Sequence, residues 1–268
     1  MQMYKFVKYK MQEKRVIEYI VNWLLKYQEE SKTDGFVIGI SGGVDSAVTS
    51  TLAAMTRLPV LCLEMPIHQN QLQIERGKKH IECIKRRFNN VENKEVNLNN
   101  VFDNFVQDVA DHEKKNNQLA LANARARIRM STLYYYAQIN NFLVLGTGNK
   151  VEDFGIGFFT KYGDGGVDIS PIADLLKTEV YVLAKHLKIN DDILSADPTD
   201  GLWDNERTDE SQIGATYPEI ELAMKNHKDE NILPERQKEV LKIYKRLNIR
   251  NQHKMRPIPV CKIPENIK

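Results

Sequence analysis

Short apolar runs alternate with longer stretches of helical periodicity along most of this 268-residue chain. Runs of strand type and length lie at 36–40, 60–65 and 142–146, with a shorter one around Val96. Apolar residues at helical spacing predict helices over about 16–25, 74–88, 101–109, 118–139 and 177–188, and a last one that begins near Pro234. This alternation predicts an α/β fold with a doubly wound parallel sheet and flanking helices.

The composition excludes several classes of protein. Hydrophobic residues make up 42% and charged residues 28% of the chain, which is typical of a folded domain rather than a disordered or collagen-like chain. The apolar runs are far shorter than the ~20 residues needed to cross a bilayer. Three cysteines without a close pair suggest neither a disulfide framework nor a zinc site. We therefore expect a soluble, cytoplasmic protein with no membrane segment, arranged as a single domain over residues 1–268.

Charge is distributed unevenly, although the net charge is only +2. Residues 225–268 carry 12 Lys and Arg against 5 Asp and Glu, and a basic tail to which the sequence assigns no role begins at about residue 255. This end of the chain either holds an anion or is a solvated helix and tail. Residues 191–221 carry ten acidic residues and one basic residue, Arg207, and we expect them to form a mobile surface loop in part.

A glycine-rich turn, Gly39–Ser46 with the sequence GISGGVDS, follows the first apolar run and precedes a helix. Glycines let the backbone approach a ligand closely, and the N-terminus of a helix offers N–H groups to an anion. The turn is therefore a candidate phosphate cradle, although its glycine spacing is not that of a Walker A loop. Asp45 would repel a phosphate unless a divalent cation such as Mg²⁺ lay between them. The alternative is that Ser41, Asp45 or Ser46 only caps the helix.

A second glycine-rich stretch, from Thr147 to Pro171, has no helical period. It is too long for an ordinary connection, which indicates a functional loop. Ligands of doubly wound sheets bind beyond the carboxyl ends of the strands. We therefore expect the turns Gly39–Asp45 and Gly146–Asn149 to open onto the same edge of the sheet.

Five motifs in order connect this chain with a known family. The SGGVDS string resembles the PP-loop of ATP pyrophosphatases, which cleave ATP between its α and β phosphates. Residues 123–180, with DPTDGLW at 197–203, TDE at 208–210 and HK at 253–254, closely resemble the ammonia-dependent NAD synthetase family. The resemblance implies a Rossmann-like fold of the adenine nucleotide α hydrolase type. It also implies a homodimer with the site near the subunit boundary.

The resemblance assigns roles to particular residues. It implies an ATP site made of Gly39, Ile40, Ser41, Gly42, Gly43, Val44, Asp45, Ser46, Thr147, Lys177 and Thr199. It implies that Mg²⁺ is held by Asp45 and Glu152, and that deamido-NAD is held by Arg127, Lys161, Asp168, His253 and Lys254. Asp45, Lys177 and Asp168 are the candidate catalytic residues, Asp168 as a group near the proton acceptor for ammonia. Asp200 and Gly201 depart from the family pattern, which often has Ala-Asp after Pro-Thr.

The reaction implied by the resemblance has two steps. The nicotinate carboxylate attacks the α phosphate of ATP, which gives an acyl-adenylate and pyrophosphate, and ammonia then displaces AMP to form NAD. The cations of the site offset the charge that develops on the leaving pyrophosphate. The match with the synthetase uses nearly the whole chain, so we expect no glutaminase domain and expect free ammonia, or ammonia from a separate partner, as the nitrogen source.

Two other functions are weighed against this one. A PP-loop enzyme that adenylylates a tRNA base would need a nucleic-acid surface, to which a net charge of +2 gives weak support, and we expect no nucleic-acid partner. A nucleotide-binding sensor on the same fold would not need metal ligands, whereas Asp45 and Glu152 are both present.

Overall fold

The centre of the fold is a parallel sheet of four strands. In the computed structural model, which describes residues 11–199, 201, 207–225 and 232–268, the strands lie in the order β3-β2-β1-β4. Their bounds are Gly35–Gly39 for β1, Val60–Glu64 for β2, Val91–Glu95 for β3 and Phe142–Val144 for β4. Phe36 of β1 pairs with Val60 on one side and with Leu143 on the other, and every strand pair is parallel. The chain therefore winds outward from β1 in both directions.

Ten α-helices of the described residues surround the sheet. They are α1 (Glu13–Ser31), α2 (Val44–Met55), α3 (Gln71–Arg87), α4 (Asn99–Val109), α5 (Asn117–Asn140), α6 (Lys177–His186), α7 (Asp191–Leu194), α8 (Asp209–Ile213), α9 (Tyr217–Lys225) and α10 (Glu235–Met255). A π-helical turn covers Val151–Ile156, and a 3₁₀ turn covers Glu265–Ile267. None of the helices in the described part of the chain combines the length and the apolar character needed to cross a membrane.

Both faces of the sheet are buried, because successive side chains of a strand point to opposite faces. Phe36 and Ile38 pack in a core with α1, α2 and α6, whereas Val37, between them, packs in a separate core with α4 and α5. An apolar run without alternation is the pattern of such a doubly covered parallel strand. The predicted α/β fold with a doubly wound parallel sheet is therefore confirmed.

The strand expected around Val96 lies earlier in the chain, at Val91–Glu95. Only Val91 of this strand is buried, and the four residues that follow it are exposed. β3 is the edge strand of the sheet, where polar side chains face solvent and block pairing with another chain. An edge strand of this kind has no apolar run, which is why the sequence placed it several residues too late.

The acidic segment 191–221 is more regular than expected. Its described residues contain α7, α8 and the beginning of α9, so only the remainder can be the surface loop expected in part of this segment. Acidic side chains occupy the first turn of each helix, Asp191 in α7, Asp209 in α8 and Glu219 in α9. Carboxylates at these positions stabilise a helix through its dipole. Asp200 and residues 202–206 lie outside the described residues.

A smaller core joins the π-helical turn to α9 and α10. Val151 and Ile156 of the turn pack with Ile220 of α9 and Val240 of α10. Two amides of α10 also bond to the turn: Asn248 Nδ2 donates to Gly155 O at 2.7 Å, and Asn251 Nδ2 donates to Ile156 O at 2.8 Å. The end of α10 is therefore fixed relative to the residues that follow β4.

Candidate functional site

A cavity lies at the carboxyl ends of β1 and β4, which are neighbours in the sheet. The residues after β1, Ile40–Gly43, and those after β4, Leu145–Gly148, both line it. This is the switch point of the sheet, where the two crossovers leave an open crevice. The expectation that the two glycine-bearing turns share one edge is confirmed.

The turn after β1 is shaped by a close approach of α3. Gly42 has φ +80°, and a Cβ there would lie 2.4 Å from Gln73 O, so no other residue fits without a shift of the backbone. Gly43 is the N-cap of α2, and no side chain caps this helix. Ser46 Oγ instead donates to Gly43 O at 3.0 Å and lies 3.1 Å from Ser41 Oγ. The capping alternative does not hold, and the N-terminus of α2 faces the cavity ready for an anion.

Lys177, the first residue of α6, connects the two sides of the cavity. Its side chain is 5% exposed, and its Nζ lies 2.5 Å from Asp45 Oδ2 and 3.1 Å from Glu152 Oε1. Burial by itself would lower the pKa of Lys177, but the adjacent carboxylates outweigh it and hold the pKa above its usual value. The lysine is therefore a permanent cation between two carboxylates.

Two polar side chains hold these carboxylates in place. Asn149 Nδ2 donates to Asp45 Oδ1 at 3.3 Å. The Tyr217 hydroxyl donates to Glu152 Oε1 at 2.5 Å, and Lys177 Nζ lies 4.8 Å from the centre of the Tyr217 ring. Asp209 Oδ2 lies 3.3 Å from the same hydroxyl. The cluster thus contains residues from four separate parts of the chain.

Asp153 lies beside this cluster and also lines the cavity. Its carboxyl packs over Gly148, where a Cβ would lie 2.2 Å from Asp153 Oδ1. Burial, with a further contribution from the charge of Glu152, raises the pKa of Asp153 to about 8. Its carboxyl is therefore protonated at neutral pH, which limits the negative charge of the cavity.

A second cluster joins α5, the glycine-rich stretch 147–171 and the end of α10. Arg127 Nε and Nη2 each donate to Lys161 O at 3.3 Å, and Lys161 Nζ donates to His253 O at 2.7 Å. Lys254 Nζ donates to Phe159 O at 2.6 Å and lies 5.0 Å from the centre of the Phe159 ring. Phe159 itself lines the cavity. We call Arg127, Lys161, His253 and Lys254 the cationic cluster; it adjoins the cavity across Phe159.

The comparison with known families is decisive. The model of the NAD synthase family matches residues 16–258. The chain belongs to the NAD synthase family. It is 40% identical over 229 residues to the NH(3)-dependent NAD(+) synthetase of Mycoplasma genitalium, an alignment that covers 85% of this chain and 88% of that one. It is 39% identical over 249 residues to the enzyme of the same name from Alkaliphilus metalliredigens, with 91% and 97% covered.

A solved structure supports the family assignment. The NMN synthetase from Francisella tularensis superimposes with a TM-score of 0.81 at 32% identity, over 96% of this chain and 100% of that one. The family resemblance seen in the motifs and the Rossmann-like fold it implied are both confirmed.

The structure of this NAD synthase family member brings together all residues predicted for ATP and Mg²⁺. The cavity is lined by Gly39, Ile40, Ser41, Gly42, Gly43, Val44, Asp45, Ser46, Thr147, Glu152, Lys177 and Thr199. Thr199 comes from the segment before α8, and its Oγ1 donates to Arg207 O at 3.1 Å. That these residues bind the nucleotide and metal remains a prediction.

The residues predicted for deamido-NAD divide into two groups. Arg127, Lys161, His253 and Lys254 form the cationic cluster, but within the described residues none of them lines the cavity. Asp168 lies elsewhere: its Oδ1 accepts from the Tyr134 hydroxyl at 2.9 Å and its Oδ2 from the Val144 N–H at 2.8 Å. The two bonds join Asp168 to α5 and to the end of β4, and the catalytic role of Asp168 stays a prediction.

Sequence reasoning missed several residues of the site in this family member. Asn149 and Asp209 stood inside the turn Gly146–Asn149 and the motif TDE but were given no role, and Asp153 follows the assigned Glu152. Tyr217 carried no signal, because an aromatic residue at the start of a short helix is ordinary. Arg76 of α3 also lines the cavity and was not predicted.

Proposed function

We propose that this chain catalyses the ATP-dependent amidation of deamido-NAD by ammonia to give NAD, AMP and pyrophosphate, the last step of NAD biosynthesis. The observation that carries the proposal is the buried contact of Lys177 with Asp45 and Glu152 inside a cavity bounded by the glycine-rich loop. Relatives at 39–40% identity are named NH(3)-dependent NAD(+) synthetases, which supports the choice of reaction.

The chemistry requires activation of a carboxylate, because a negatively charged carboxylate is a poor electrophile. A nicotinate oxygen bonds to the α phosphorus of ATP, the bond to the bridging oxygen breaks, and pyrophosphate leaves. Ammonia then bonds to the acyl carbon, AMP leaves, and the ammonium proton passes to a base. The chain holds the reactants in line, offsets the phosphate charge through Lys177 and the N-terminus of α2, and keeps water from the adenylate.

Asp45 and Glu152 fit a magnesium ion by the chemistry of their donor atoms. Both offer the hard carboxylate oxygens that Mg²⁺ prefers, and the two already share one cation, the ammonium of Lys177. No group of three or more His, Cys, Asp or Glu side chains in the described residues is arranged to hold a metal, so phosphate oxygens and water would complete the coordination. Mg²⁺ bound there would supply further neutralisation of the phosphates.

The cationic cluster is the proposed site of deamido-NAD. Arg127 and Lys161 are two of its cations, and the phosphates of a dinucleotide are matched by such side chains. Lys254 places a third cation against Phe159, at the boundary with the cavity. The carboxylate of the substrate would then reach the α phosphate across this boundary.

The proposal includes a homodimer with the site near the subunit boundary. Apolar side chains line a groove between α4 and α5, and several are exposed, including Val109 and Tyr135 at 62% each. Contiguous exposed apolar surface of this kind is typical of a protein interface. Arg127 lines the groove and also belongs to the cationic cluster, so a second copy bound there would adjoin the substrate.

The proposal also includes a cytoplasmic enzyme that uses free ammonia. All three cysteines, Cys62, Cys83 and Cys261, are free thiols, as expected in a reducing compartment. Ammonia as the nitrogen source follows the names of the relatives.

A second candidate function is the amidation of nicotinate mononucleotide. It is favoured by the structural match with an NMN synthetase, which has a TM-score of 0.81. The activation chemistry is the same, and the two substrates differ only in the adenylyl half that a dinucleotide adds. The curated relatives at 39–40% identity are named NAD(+) synthetases, which favours the dinucleotide.

One assay tests both candidates. Purified protein with ATP and Mg²⁺ receives deamido-NAD or nicotinate mononucleotide, each with ammonium chloride or with glutamine, and amide product and AMP are quantified. We expect NAD and AMP from deamido-NAD with ammonium, and little product with glutamine. A larger kcat/KM for the mononucleotide would establish the second candidate. Absence of an amide product from either substrate would contradict both.

A further inference from the structure

Arg76 lies on α3 where this helix packs against the glycine-rich turn Gly39–Ser46. Its neighbours Gln73 and Gly77 make that contact, because a Cβ on Gly42 would lie 2.4 Å from Gln73 O and 3.3 Å from Gly77 N. Residues three apart on a helix share a face, so Arg76 follows Gln73 on the side that borders the cavity. Gln69, Gln73 and Arg76 all line it. The chain thus places a guanidinium group at the wall of the candidate phosphate site.

One donor of the Arg76 guanidinium is unpaired within the part of the chain that the structure describes. Arg76 Nε is buried and has no hydrogen-bond partner among the described residues. Lys79, and to a smaller extent the charge of Arg76, lower the pKa of Asp192. Asp192 Oδ2, however, accepts its hydrogen bond from Lys79 Nζ at 2.8 Å. A buried donor left without a partner costs free energy, so such groups in a cavity wall point to a missing ligand. Arginine remains charged and presents a planar fork that suits phosphate oxygens.

The charges of the cavity also call for an additional cation. Asp45, Glu152 and Asp197 are among the acidic residues that line it, and a triphosphate would add several negative charges. Lys177 is already bound to two of these carboxylates. Arg129, the other lining arginine, donates from Nε to Met65 O at 3.0 Å. Arg76 is therefore the cationic side chain of the described lining best placed to meet phosphate oxygens.

We infer that Arg76 binds the terminal β and γ phosphates of ATP and then the pyrophosphate that leaves. The inference rests on the proposed function for the presence of ATP in this cavity. The α phosphate must face the cationic cluster, where the substrate carboxylate attacks it. The terminal phosphates therefore extend toward the glycine-rich turn Gly39–Ser46 and α3. There phosphate oxygens accept from the guanidinium, which gives Nε the partner it lacks, and the positive charge of Arg76 offsets the negative charge of the pyrophosphate as its bond to the α phosphorus breaks.

The test compares ligands that differ only in these phosphates. Binding of α,β-methylene-ATP, AMP and deamido-NAD is measured by isothermal titration calorimetry with Mg²⁺, for the wild-type protein and Arg76→Ala. We expect Arg76→Ala to bind α,β-methylene-ATP ~10–100-fold more weakly, because a charge-assisted bond is lost, and to bind AMP and deamido-NAD within about twofold of wild type. Lys79→Ala, which removes an exposed cation from the same helix, should leave all three affinities unchanged.

Unchanged affinity of Arg76→Ala for α,β-methylene-ATP, or an equal loss for AMP, would overturn the inference. A loss confined to deamido-NAD would assign Arg76 to the pyrophosphate of the dinucleotide and would also overturn it. Arg76→Gln repeats the comparison with a polar side chain if the alanine variant is unstable. Because binding of α,β-methylene-ATP needs no turnover, failure of the proposed amidation would appear separately, as a wild-type protein that binds nucleotide and forms no amide.

Discussion

Lys177 Nζ lies 2.5 Å from Asp45 Oδ2, although the two residues are 132 positions apart in the chain. Lys177 begins α6 and Asp45 lies in the first turn of α2. The contact therefore joins the helix that follows the stretch 147–171 to the candidate phosphate cradle. Glu152 completes the contact from the π-helical turn. A single ammonium group therefore holds three separate elements together.

Replacement of Lys177 tests how much its ammonium group stabilises the fold. We expect Lys177→Met to lower the free energy of unfolding by about 3–5 kcal/mol without Mg²⁺, because two buried carboxylates lose their counter-charge. Added Mg²⁺ should raise the unfolding midpoint more in this variant than in wild type, and urea denaturation measures both. Lys150→Met is the control, since the Lys150–Asp174 pair is exposed and worth less than ~1 kcal/mol. Equal stability of the two variants would contradict the role of Lys177.

The metal assignment predicts the behaviour of the two carboxylates. Asp45→Asn and Glu152→Gln keep the shape of the side chains and remove the charge, so pyrophosphate release should be abolished while the circular dichroism spectrum is retained. Electron paramagnetic resonance of Mn²⁺ in the presence of α,β-methylene-ATP should show weaker metal binding in both. Asp174→Asn, at an exposed site, is the matched control. Full activity in both variants would refute the assignment.

The hydroxyl of Tyr217 should orient Glu152. Tyr217→Phe keeps the buried ring beside Lys177 and removes the hydroxyl, with its bond to Glu152 Oε1 and its longer contact with Asp209 Oδ2. We expect kcat to fall ~10-fold, since a bond to a charged group is lost, with little change in the KM for deamido-NAD. Tyr244→Phe makes the same change where the ring packs against the core of α9 and α10, and its kcat should match wild type. Equal kcat values for the two variants would show that the hydroxyl has no part in catalysis.

Division of the site into two parts predicts a selective effect at Arg127. Arg127→Ala should raise the KM for deamido-NAD at least ~10-fold and the KM for ATP by less than twofold, because Arg127 belongs to the cationic cluster outside the cavity lining. Steady-state kinetics with each substrate varied in turn measure both constants. Arg86→Ala, an exposed arginine of α3, serves as control. A larger shift for ATP would mean that the two halves of the site are assigned wrongly.

His80 should make the fold sensitive to acid. It is 1% exposed, its Nε2 lies 2.8 Å from Ser50 Oγ, and burial lowers its pKa to about 4. The unfolded chain has a histidine pKa near 6.5, so between about pH 6.5 and 4 the unfolded state binds a proton that the folded state does not. The free energy of unfolding should therefore decrease by about 3 kcal/mol as the pH falls through this window.

Urea denaturation between pH 7 and pH 4.5 measures that decrease. His80→Gln has no titrating group and should lose this part of the pH dependence, whereas His112→Gln, at an exposed position, should retain it. The same slope in His80→Gln as in wild type would exclude His80 as the source.

Much of the fold was predictable because its signals are local. Buried parallel strands such as β1 give an uninterrupted apolar run, and the glycine at position 42 reflects a turn that α3 approaches closely. The edge strand β3 and the π-helical turn gave no such signal, the first because most of it faces solvent and the second because six residues establish no period. Short helices in the acidic segment were hidden for the same reason.

The site was predictable only where a motif carried it. The glycine-rich loop and the cationic cluster follow from strings that the resemblance matches position by position. Tyr217 and Arg76 are single residues on helices that are far apart in the chain. Only tertiary packing brings each side chain to the site. No pattern within either helix distinguishes these residues from ordinary ones, so their positions needed the folded structure.

The side-chain amides of Asn248 and Asn251 donate hydrogen bonds to the π-helical turn, and these bonds do more than pack α10 against it. The turn carries Glu152 on the side of the cavity and α10 carries Lys254 three residues after Asn251. Two hydrogen bonds to backbone carbonyls thus fix the distance between the proposed metal ligand, Glu152, and the proposed substrate cation, Lys254. This fixed distance would select substrates by length. A substrate too short or too long to span it would bind without reacting.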